Sequence, residues 1–166
     1  MSAKAAKPAK PGKGRAQDGI KVLVRNRRAH YDYDIEETLE AGIALVGSEV
    51  KSLRDQRASL GEGHVAIRDR EAWLIGVQIT EYPWAHQRTH EPTRERKLLL
   101  HRREIDKLET RASQRGYAII PLSFYVKGGT IKLEIGLARG KRQFEKRETV
   151  KEAEAQREID RALRRR

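Results

Sequence analysis

Short runs in which apolar residues alternate with polar ones, or cluster between glycines, recur along most of this chain. Such runs are typical of β-strands, because successive side chains of a strand point to opposite faces of the sheet. Glycines and charged residues separate the runs, as expected for strands joined by short connections. The predicted strands lie within residues 21–24, 43–53, 65–79, 117–126 and 130–137.

The connections between these runs favour a closed arrangement. Residues 69–71 (Asp-Arg-Glu) predict a hairpin turn, and Gly128 with Gly129 supplies the positive φ that a tight hairpin between the last two strands needs. Many short strands with few helices favour a small closed or nearly closed barrel, since closure removes exposed strand edges. The predicted fold class is mainly β with two to three added helices.

Two segments in this region predict helices. Residues 34–42 predict a short helix, because Ile35 and Leu39 lie four positions apart and Gly42 ends the segment. Apolar residues between 98 and 108 also recur at helical spacing, which predicts a helix of about three to four turns that packs against the sheet. Residues 82–96 contain two prolines and no regular alternation, so they predict a long exposed loop.

The two ends of the chain differ from its middle. Residues 1–19 are mostly Ala, Lys, Pro and Gly, a composition that predicts a disordered basic leader. Residues 140–166 have high helix propensity between 148 and 163, but their apolar face is too weak for a helix that stands alone. We therefore expect a folded domain over residues 20–139 and a basic tail over 140–166 that is disordered when free and becomes helical on a partner.

Charge indicates what kind of partner this is. The formal net charge is +12, and the leader, the middle and the segment 139–166 carry +4, +3 and +5 of it. A strongly basic protein favours a polyanion such as RNA, with binding that weakens as salt rises. The chain has no cysteine and no apolar run of about 18 residues, so we expect a cytoplasmic protein that makes no membrane contact. We also expect it to be a monomer.

The sequence does not predict a catalytic site or a metal site. His86 and His90 have the spacing of a helical metal site, but the prolines around them argue against a helix, so we interpret them as solvated loop histidines. Alternation along a strand would put Glu49 and Lys51 on one face, either as a surface ion pair or as part of a polar stripe that faces RNA. No nucleophile motif or carboxylate cluster is evident, and we expect no enzyme, no metal and no cofactor. The alternative to an RNA-binding function is an enzymatic one, and the candidate enzyme is a metal-dependent nuclease.

Two basic segments have the chemistry of RNA contacts. Residues 25–28 (Arg-Asn-Arg-Arg) precede Tyr31 and Tyr33, which combines fixed charge, an amide for base edges and rings that can stack. Residues 94–103 combine leucines with arginine and lysine, where the leucines are more often core and the basic residues more often surface. Together with the basic tail, these segments favour an RNA-binding function.

Several longer runs resemble the SsrA-binding protein family (small protein B), and the likeness extends over roughly residues 20–166. The runs stand in the same order as in that family, which makes the resemblance specific. They are Asn-Arg-Arg-Ala at 26–29, Glu-Ala-Gly-Ile-Ala-Leu at 40–45, Gly-Ser-Glu-Val-Lys-Ser-Leu-Arg at 47–54, Pro-Thr-Arg-Glu-Arg-Lys-Leu-Leu-Leu at 92–100, Ile-Gly-Leu-Ala-Arg-Gly-Lys-Arg at 135–142 and Glu-Lys-Arg at 145–147.

The resemblance implies an oligonucleotide-binding-type β-barrel whose partner is the tRNA-like domain of transfer-messenger RNA, delivered to stalled ribosomes for trans-translation. Asn26, Glu40 and Leu100 occupy positions that the family uses on or beneath the RNA surface. By the same resemblance, the tail reads the empty messenger channel beside small-subunit rRNA. The remaining expected RNA contacts are Arg27, Arg28, Lys51, Arg94, Arg96 and Lys97, and the expected ribosome contacts are Lys141, Arg142, Phe144, Lys146 and Arg147.

One alternative stays open within the RNA-binding class. A ribosomal or ribosome-assembly protein that binds rRNA would need the same basic barrel. Phe144 and Glu145 depart from the residues more common in the family, where some members have His and Asp. The ring at Phe144 keeps the capacity to stack, whereas the carboxylate of Glu145 is retained but displaced.

Overall fold

The structure is a computed structural model that describes residues 19–164. The predicted leader therefore lies outside the described residues, apart from Gly19, as do the last two residues of the predicted tail. Nine strands and four helices form within this range, in agreement with a mainly β fold. In chain order they are β1 (Ile20–Arg25), α1 (Ala29–Asp32), β2 (Tyr33–Ile43), α2 (Gly47–Arg54), β3 (Ala58–Ser59), β4 (His64–Arg68), β5 (Glu71–Ile75), β6 (Gln78–Ile79), β7 (Arg96–Leu99), α3 (Arg102–Ala112), β8 (Tyr117–Lys127), β9 (Thr130–Gly140) and α4 (Gln143–Arg164).

Six strands close into a ring. The order is β8-β4-β5-β7-β2-β9, and β9 pairs in turn with β8, so that the sheet returns to its starting strand. β1 pairs with the second half of β8, from Ile20 opposite Lys127 to Arg25 opposite Ser123. This ring confirms the prediction of a barrel-like β-fold with added helices.

The interior of the ring is apolar. Buried side chains of the strands form one cluster with Leu53 of α2 and Leu108 of α3. Burial of such side chains is the main favourable contribution to folding, at about 25 cal/mol per Å² of apolar surface. The fully buried apolar side chains include Phe124, Leu53, Leu60, Leu74, Ile79, Leu133 and Ile135.

The predicted helix over residues 34–42 is wrong, because this segment is the centre of β2. A spacing of four residues fits both a helix face and one face of a strand, so Ile35 and Leu39 do not distinguish the two. The exposure of β2 alternates from residue to residue, with Asp34, Glu36, Thr38 and Glu40 outward. Glu37 interrupts the apolar face where the pairing with β9 shifts register, and this interruption hides the strand pattern in the sequence.

The predicted strand over residues 43–53 is also wrong from Gly47 onward, where α2 begins. The buried face of α2 is mostly polar and consists of Ser48, Glu49, Ser52 and Leu53. Hydrophobic periodicity cannot reveal a helix whose buried side chains are hydrophilic. The predicted helix from residue 98 starts later than expected, because Leu98 and Leu99 belong to β7 and only the part from Arg102 is helical.

Other predictions are confirmed. Asp69 and Arg70 have φ values of 51° and 60° in the hairpin between β4 and β5, and Gly128 and Gly129 have 58° and 77° between β8 and β9. Most of residues 82–96 lie in the connection between β6 and β7, without helix or strand until Arg96.

The tail contains one 22-residue helix with no buried side chain. Its predicted disorder in the free protein stays a prediction.

Candidate nucleic-acid interface

Four strands, β1, β2, β8 and β9, and the start of α1 enclose a cleft of about 640 Å³ on the outside of the barrel. We call it the Asn26 cleft. β1 contributes Arg25, β2 contributes Glu40, and β8 contributes Tyr125 and Lys127. The cleft thus mixes cations, a carboxylate and an aromatic ring, which is the chemistry suited to unstacked RNA bases and phosphates. Its lining includes the sequence-predicted residues Asn26, Arg27 and Glu40.

Glu40 is held by two donors from β8. The Tyr125 hydroxyl donates to Glu40 Oε2 at 2.5 Å, and Lys127 Nζ donates to the same oxygen at 3.1 Å. The hydrogen bond from Tyr125, followed by the one from Lys127, lowers the pKa of the Glu40 carboxyl. Burial and the bond to Glu40 raise the pKa of Tyr125. Glu40 is therefore an ionised acceptor that these two donors orient.

The Asn26 side chain is hydrogen-bonded to the protein's own backbone, and its contact with RNA stays a prediction. Its Nδ2 donates to the carbonyl oxygens of Pro121 at 3.0 Å and Leu60 at 3.4 Å, and its Oδ1 accepts from the Arg28 N–H at 3.3 Å. Both amide protons are thus used on the protein's own backbone. Asn26 fixes the turn between β1 and α1, so that Arg27 and Arg28 remain exposed beside the cleft.

The support of Glu40 by Tyr125 gives a pH-dependent prediction. In a Tyr125→Phe variant the carboxylate loses its shortest hydrogen bond, so the pKa of Glu40 rises toward its usual value. Protonation then removes the charged acceptor at a higher pH than in the unmodified protein, and any stability that the ionised form contributes is lost earlier as the pH falls. Titration of the Glu40 side-chain carboxyl by ¹³C NMR measures the shift.

Tyr117→Phe is the matched control, because the Tyr117 hydroxyl donates to Glu36 Oε1 at 2.8 Å near the other end of β2. This substitution removes the same kind of bond from the same strand. The pKa of Glu40 stays unchanged in the control. An unchanged pKa in Tyr125→Phe as well would contradict the assignment of Tyr125 as the support of Glu40.

A neighbouring groove contains Lys97 and Leu100, two further sequence-predicted contacts. Leu99 pairs with Gly42 of β2, two positions beyond Glu40, so β2 connects this groove with the Asn26 cleft. Leu100 is half-buried against the core, whereas the adjacent Leu99 is 57 % exposed. Leu99 is thus the more accessible apolar contact. Lys97 Nζ pairs with Glu71 at 2.6 Å.

The prediction that Arg96 contacts an RNA phosphate is wrong, because this residue is buried. Its side chain has no exposed surface, so it cannot contact a phosphate as expected. Its Nε donates to Glu49 Oε1 at 2.7 Å, and its other nitrogens donate to the backbone oxygens of Val77, Arg94 and Pro92. A buried guanidinium needs such partners for every donor, since an unsatisfied one costs stability. Arg96 is a structural residue that secures the end of the 82–96 loop.

Glu49 is the centre of this buried cluster and does not form the predicted surface ion pair with Lys51. Arg94 donates to both of its oxygens, at 2.8 and 2.6 Å, and the Val46 N–H donates to Oε2 at 3.0 Å. Burial alone would raise the pKa of Glu49, but these bonds and the charge of Arg96 lower it. The carboxylate therefore stays ionised inside the protein and joins α2 to the segment that enters β7.

Lys51 and Arg94 line a second cleft, between α2 and the 82–96 loop, which also contains the exposed Trp84 and Arg88. We call it the Trp84 cleft. His90 lies at its back wall and is only 6 % exposed, so the prediction of a solvated loop histidine is wrong for this residue. His90 contacts Ser48 Oγ and the Ile79 carbonyl through its two ring nitrogens. His86 remains exposed.

The predicted ribosome contacts surround the start of α4. Lys146 Nζ lies 3.2 Å from Asp32 Oδ1 and 5.7 Å from the centre of the Tyr31 ring, and Lys141 Nζ donates to the His30 carbonyl. These contacts attach the first turn of α4 to α1. Glu145 Oε2 accepts from the Arg142 N–H at 2.7 Å, so this carboxylate caps the helix. Arg142, Phe144 and Arg147 are exposed.

The described part of the chain holds neither a cluster of metal ligands nor a membrane-spanning helix. No three histidine, aspartate or glutamate side chains within residues 19–164 converge on a point where they could hold a metal ion. None of the helices in the same range is both long enough and apolar enough to cross a membrane.

Comparison with known proteins identifies the family. A family model described as SmpB protein matches residues 23–165, which is most of the chain. The chain belongs to the SmpB family. An SsrA-binding protein of Thermobifida fusca is 52 % identical over 148 residues, which cover 89 % of this chain and 92 % of the relative. One from Rubrobacter xylanophilus is 52 % identical over 144 residues, with 87 % and 96 % covered.

A solved structure supports the same assignment. A chain described as "tmRNA-SmpB: a journey to the center of the bacterial ribosome" superposes with a TM-score of 0.64 at 40 % identity, and covers 78 % of this chain and 95 % of the solved one. The resemblance stated from the sequence motifs is thereby confirmed.

Sequence reasoning missed several residues of the interface. Tyr125 and Lys127 are found only when β9 is seen to pair with β2 on one side and β8 on the other, because the sequence separates both residues from Glu40 by more than eighty positions. Trp84 and Arg88 stand in a loop with no periodic pattern. The available signal was their composition, since a tryptophan and an arginine in an exposed loop suit RNA.

Proposed function

We propose that this protein is a non-catalytic RNA-binding adaptor that binds the tRNA-like domain of transfer-messenger RNA and brings it to stalled ribosomes in the cytoplasm. The Asn26 cleft carries the proposal, because it places an oriented carboxylate among cations on the outside of a closed barrel. Membership of the SmpB family supports the identity of the RNA.

In this proposal each group in the cleft has a separate part. Glu40 accepts a hydrogen bond from a 2′-hydroxyl or a base amine of the RNA, which a carboxylate held by Tyr125 and Lys127 can do without rearrangement. Arg27 and Arg28, fixed by Asn26, contact phosphates and position the RNA. Leu99 and Leu100 give an apolar contact to an unstacked base in the neighbouring groove.

The tail has the second part of the function. α4 extends from the barrel with no buried side chain, so its surface is available to another partner. We place its basic residues Arg142, Lys146 and Arg147 against small-subunit rRNA in the empty messenger channel, with Phe144 stacked on a base. The protein then substitutes shape and charge for the missing codon–anticodon pairing.

Substitution of Glu40 tests the RNA site. Glu40→Ala weakens binding of the tRNA-like domain by about 10- to 100-fold, because a hydrogen bond to a charged group contributes about 1.5–3 kcal/mol. Glu36→Ala is the matched control, since Glu36 is an exposed carboxylate on the same strand that pairs with Arg111. Filter binding at one fixed salt concentration compares the two variants. Equal losses in both would show that net charge, and not the cleft, determines binding.

The rival function predicts a different partner. A ribosomal or assembly protein would bind an rRNA fragment at least as tightly as the tRNA-like domain. Competition between these two RNAs at matched salt separates the proposals, because non-specific attraction contributes equally to both. Equal affinity for the two RNAs would contradict the proposed function.

A further inference from the structure

The Trp84 cleft is a second candidate binding site of about 780 Å³, within the range of roughly 300–1,000 Å³ typical of ligand pockets. It lies between α2 and the connection from β6 to β7. Among residues 19–164, it shares no lining residue with the Asn26 cleft. A ligand of the Trp84 cleft therefore contacts a separate surface of the protein.

The back wall of this cleft is fixed by buried polar contacts. Ser48 Oγ lies 2.8 Å from His90 Nδ1, and His90 Nε2 lies 2.9 Å from the Ile79 carbonyl oxygen, so the imidazole joins α2 to β6. Arg94 is held by both oxygens of the buried Glu49. A site whose walls are already ordered loses little entropy when a ligand binds.

The front of the cleft is accessible and basic. Trp84 is 74 % exposed. Lys51 and Arg88 are exposed, and neither forms an ion pair within the described part of the chain. Lys51 Nζ lies 5.4 Å from the centre of the Tyr82 ring, which orients the ammonium group. No aspartate or glutamate of residues 19–164 lines the cleft.

We propose that the Trp84 cleft binds one unstacked nucleotide of single-stranded RNA, with the base on the Trp84 indole and the neighbouring phosphate between Lys51 and Arg88. Cations would also attract an acidic peptide, but an exposed indole beside them matches the flat face that every base presents. The inference goes beyond the proposed function, because the tRNA-like domain is assigned to the Asn26 cleft. Lys51 and Arg94 are thereby reassigned to this second site.

Tryptophan fluorescence of the full chain tests the proposal. The chain has two tryptophans, so a Trp73→Phe background leaves Trp84 as the only indole. A single-stranded RNA decamer of mixed sequence, without a label, quenches this emission as bases stack. In a separate binding assay with a labelled decamer, Trp84→Ala weakens affinity on the order of tenfold, whereas Trp84→Phe retains most of it.

Alanine variants of three basic residues distinguish contact with one phosphate from general electrostatic attraction to RNA. Lys51→Ala and Arg88→Ala weaken decamer binding, whereas Arg115→Ala, which removes an exposed arginine outside both clefts, leaves it unchanged. Equal losses in all three variants would overturn the proposal. Quenching of Trp84 by a polyglutamate decamer at the same concentration and salt would also overturn it, because the cleft would then bind any polyanion.

The test distinguishes this inference from the proposed function. Trp84→Ala leaves the affinity for the isolated tRNA-like domain unchanged, while Glu40→Ala lowers that affinity and leaves the quenching of Trp84 intact. If Trp84 is not quenched by the decamer, the second site is refuted and the Asn26 cleft is unaffected. If Glu40→Ala has no effect on the tRNA-like domain, the proposed function fails while the Trp84 result still stands.

Discussion

Glu49→Gln lowers the free energy of unfolding by about 3–5 kcal/mol, the loss expected when one partner is removed from a buried ion pair. The substitution keeps the size of the side chain and removes its charge. Arg96, which has no exposed surface, then retains its positive charge inside the protein without a carboxylate, and Arg94 loses its partner as well. Urea denaturation monitored by circular dichroism measures the change.

Glu71→Gln is the control for this prediction. Glu71 also pairs with a cation at 2.6 Å, but both side chains of its pair with Lys97 are 42 % exposed. Exposed pairs contribute about 0.2–1 kcal/mol, because water and salt screen their attraction. A loss in Glu49→Gln as small as that in Glu71→Gln would show that the buried cluster does not secure the fold.

Much of the fold could be predicted from local patterns. The hairpin at Gly128 and Gly129, the turn at Asp69 and Arg70, and the strands around them were predicted because turn chemistry and alternation agree there. β2 was not, since its apolar face is interrupted at Glu37 where the register shifts. The carboxylate of Glu37 is explained only when Lys107 of α3 is found beside it, because the two side chains form an ion pair.

Burial of charged residues is the other limit of sequence reasoning. Basic residues are mostly exposed, so Arg96 was predicted as a phosphate contact by the general rule. Its burial depends on Glu49, which is forty-seven positions away and on a different element. Hydrophilic residues that pair in the interior leave no apolar period, which also explains why α2 was missed.

The candidate site was only partly accessible to sequence reasoning. Asn26 and Glu40 were singled out by resemblance and Arg27 by its place in a basic segment, and all three line one cleft in the structure. The support of Glu40 by Tyr125 depends on the pairing of distant strands and could not be read from spacing. The structure also divides the predicted RNA contacts between separate surfaces, since Lys51 and Arg94 line the Trp84 cleft.

A chain that ends after Arg142 loses its activity on stalled ribosomes but keeps its RNA affinity. β9 ends at Gly140 and no side chain of α4 is buried, so the barrel remains complete. Residues 143–166 carry eight basic and six acidic side chains, a net charge of only +2, so their removal changes general attraction to RNA little. The affinity for the tRNA-like domain falls by no more than about fivefold, as expected when exposed contacts worth up to about 1 kcal/mol are lost.

The most direct test of this division of labour is peptide tagging on stalled ribosomes by the chain ending at Arg142, at concentrations that saturate transfer-messenger RNA. The account predicts that tagging is abolished although the RNA is fully bound, and that Glu40→Ala, with its tail intact, regains tagging when its concentration is raised. Normal tagging by the truncated chain, or loss of its RNA binding, would contradict the separation of an RNA-binding barrel from a ribosome-reading tail.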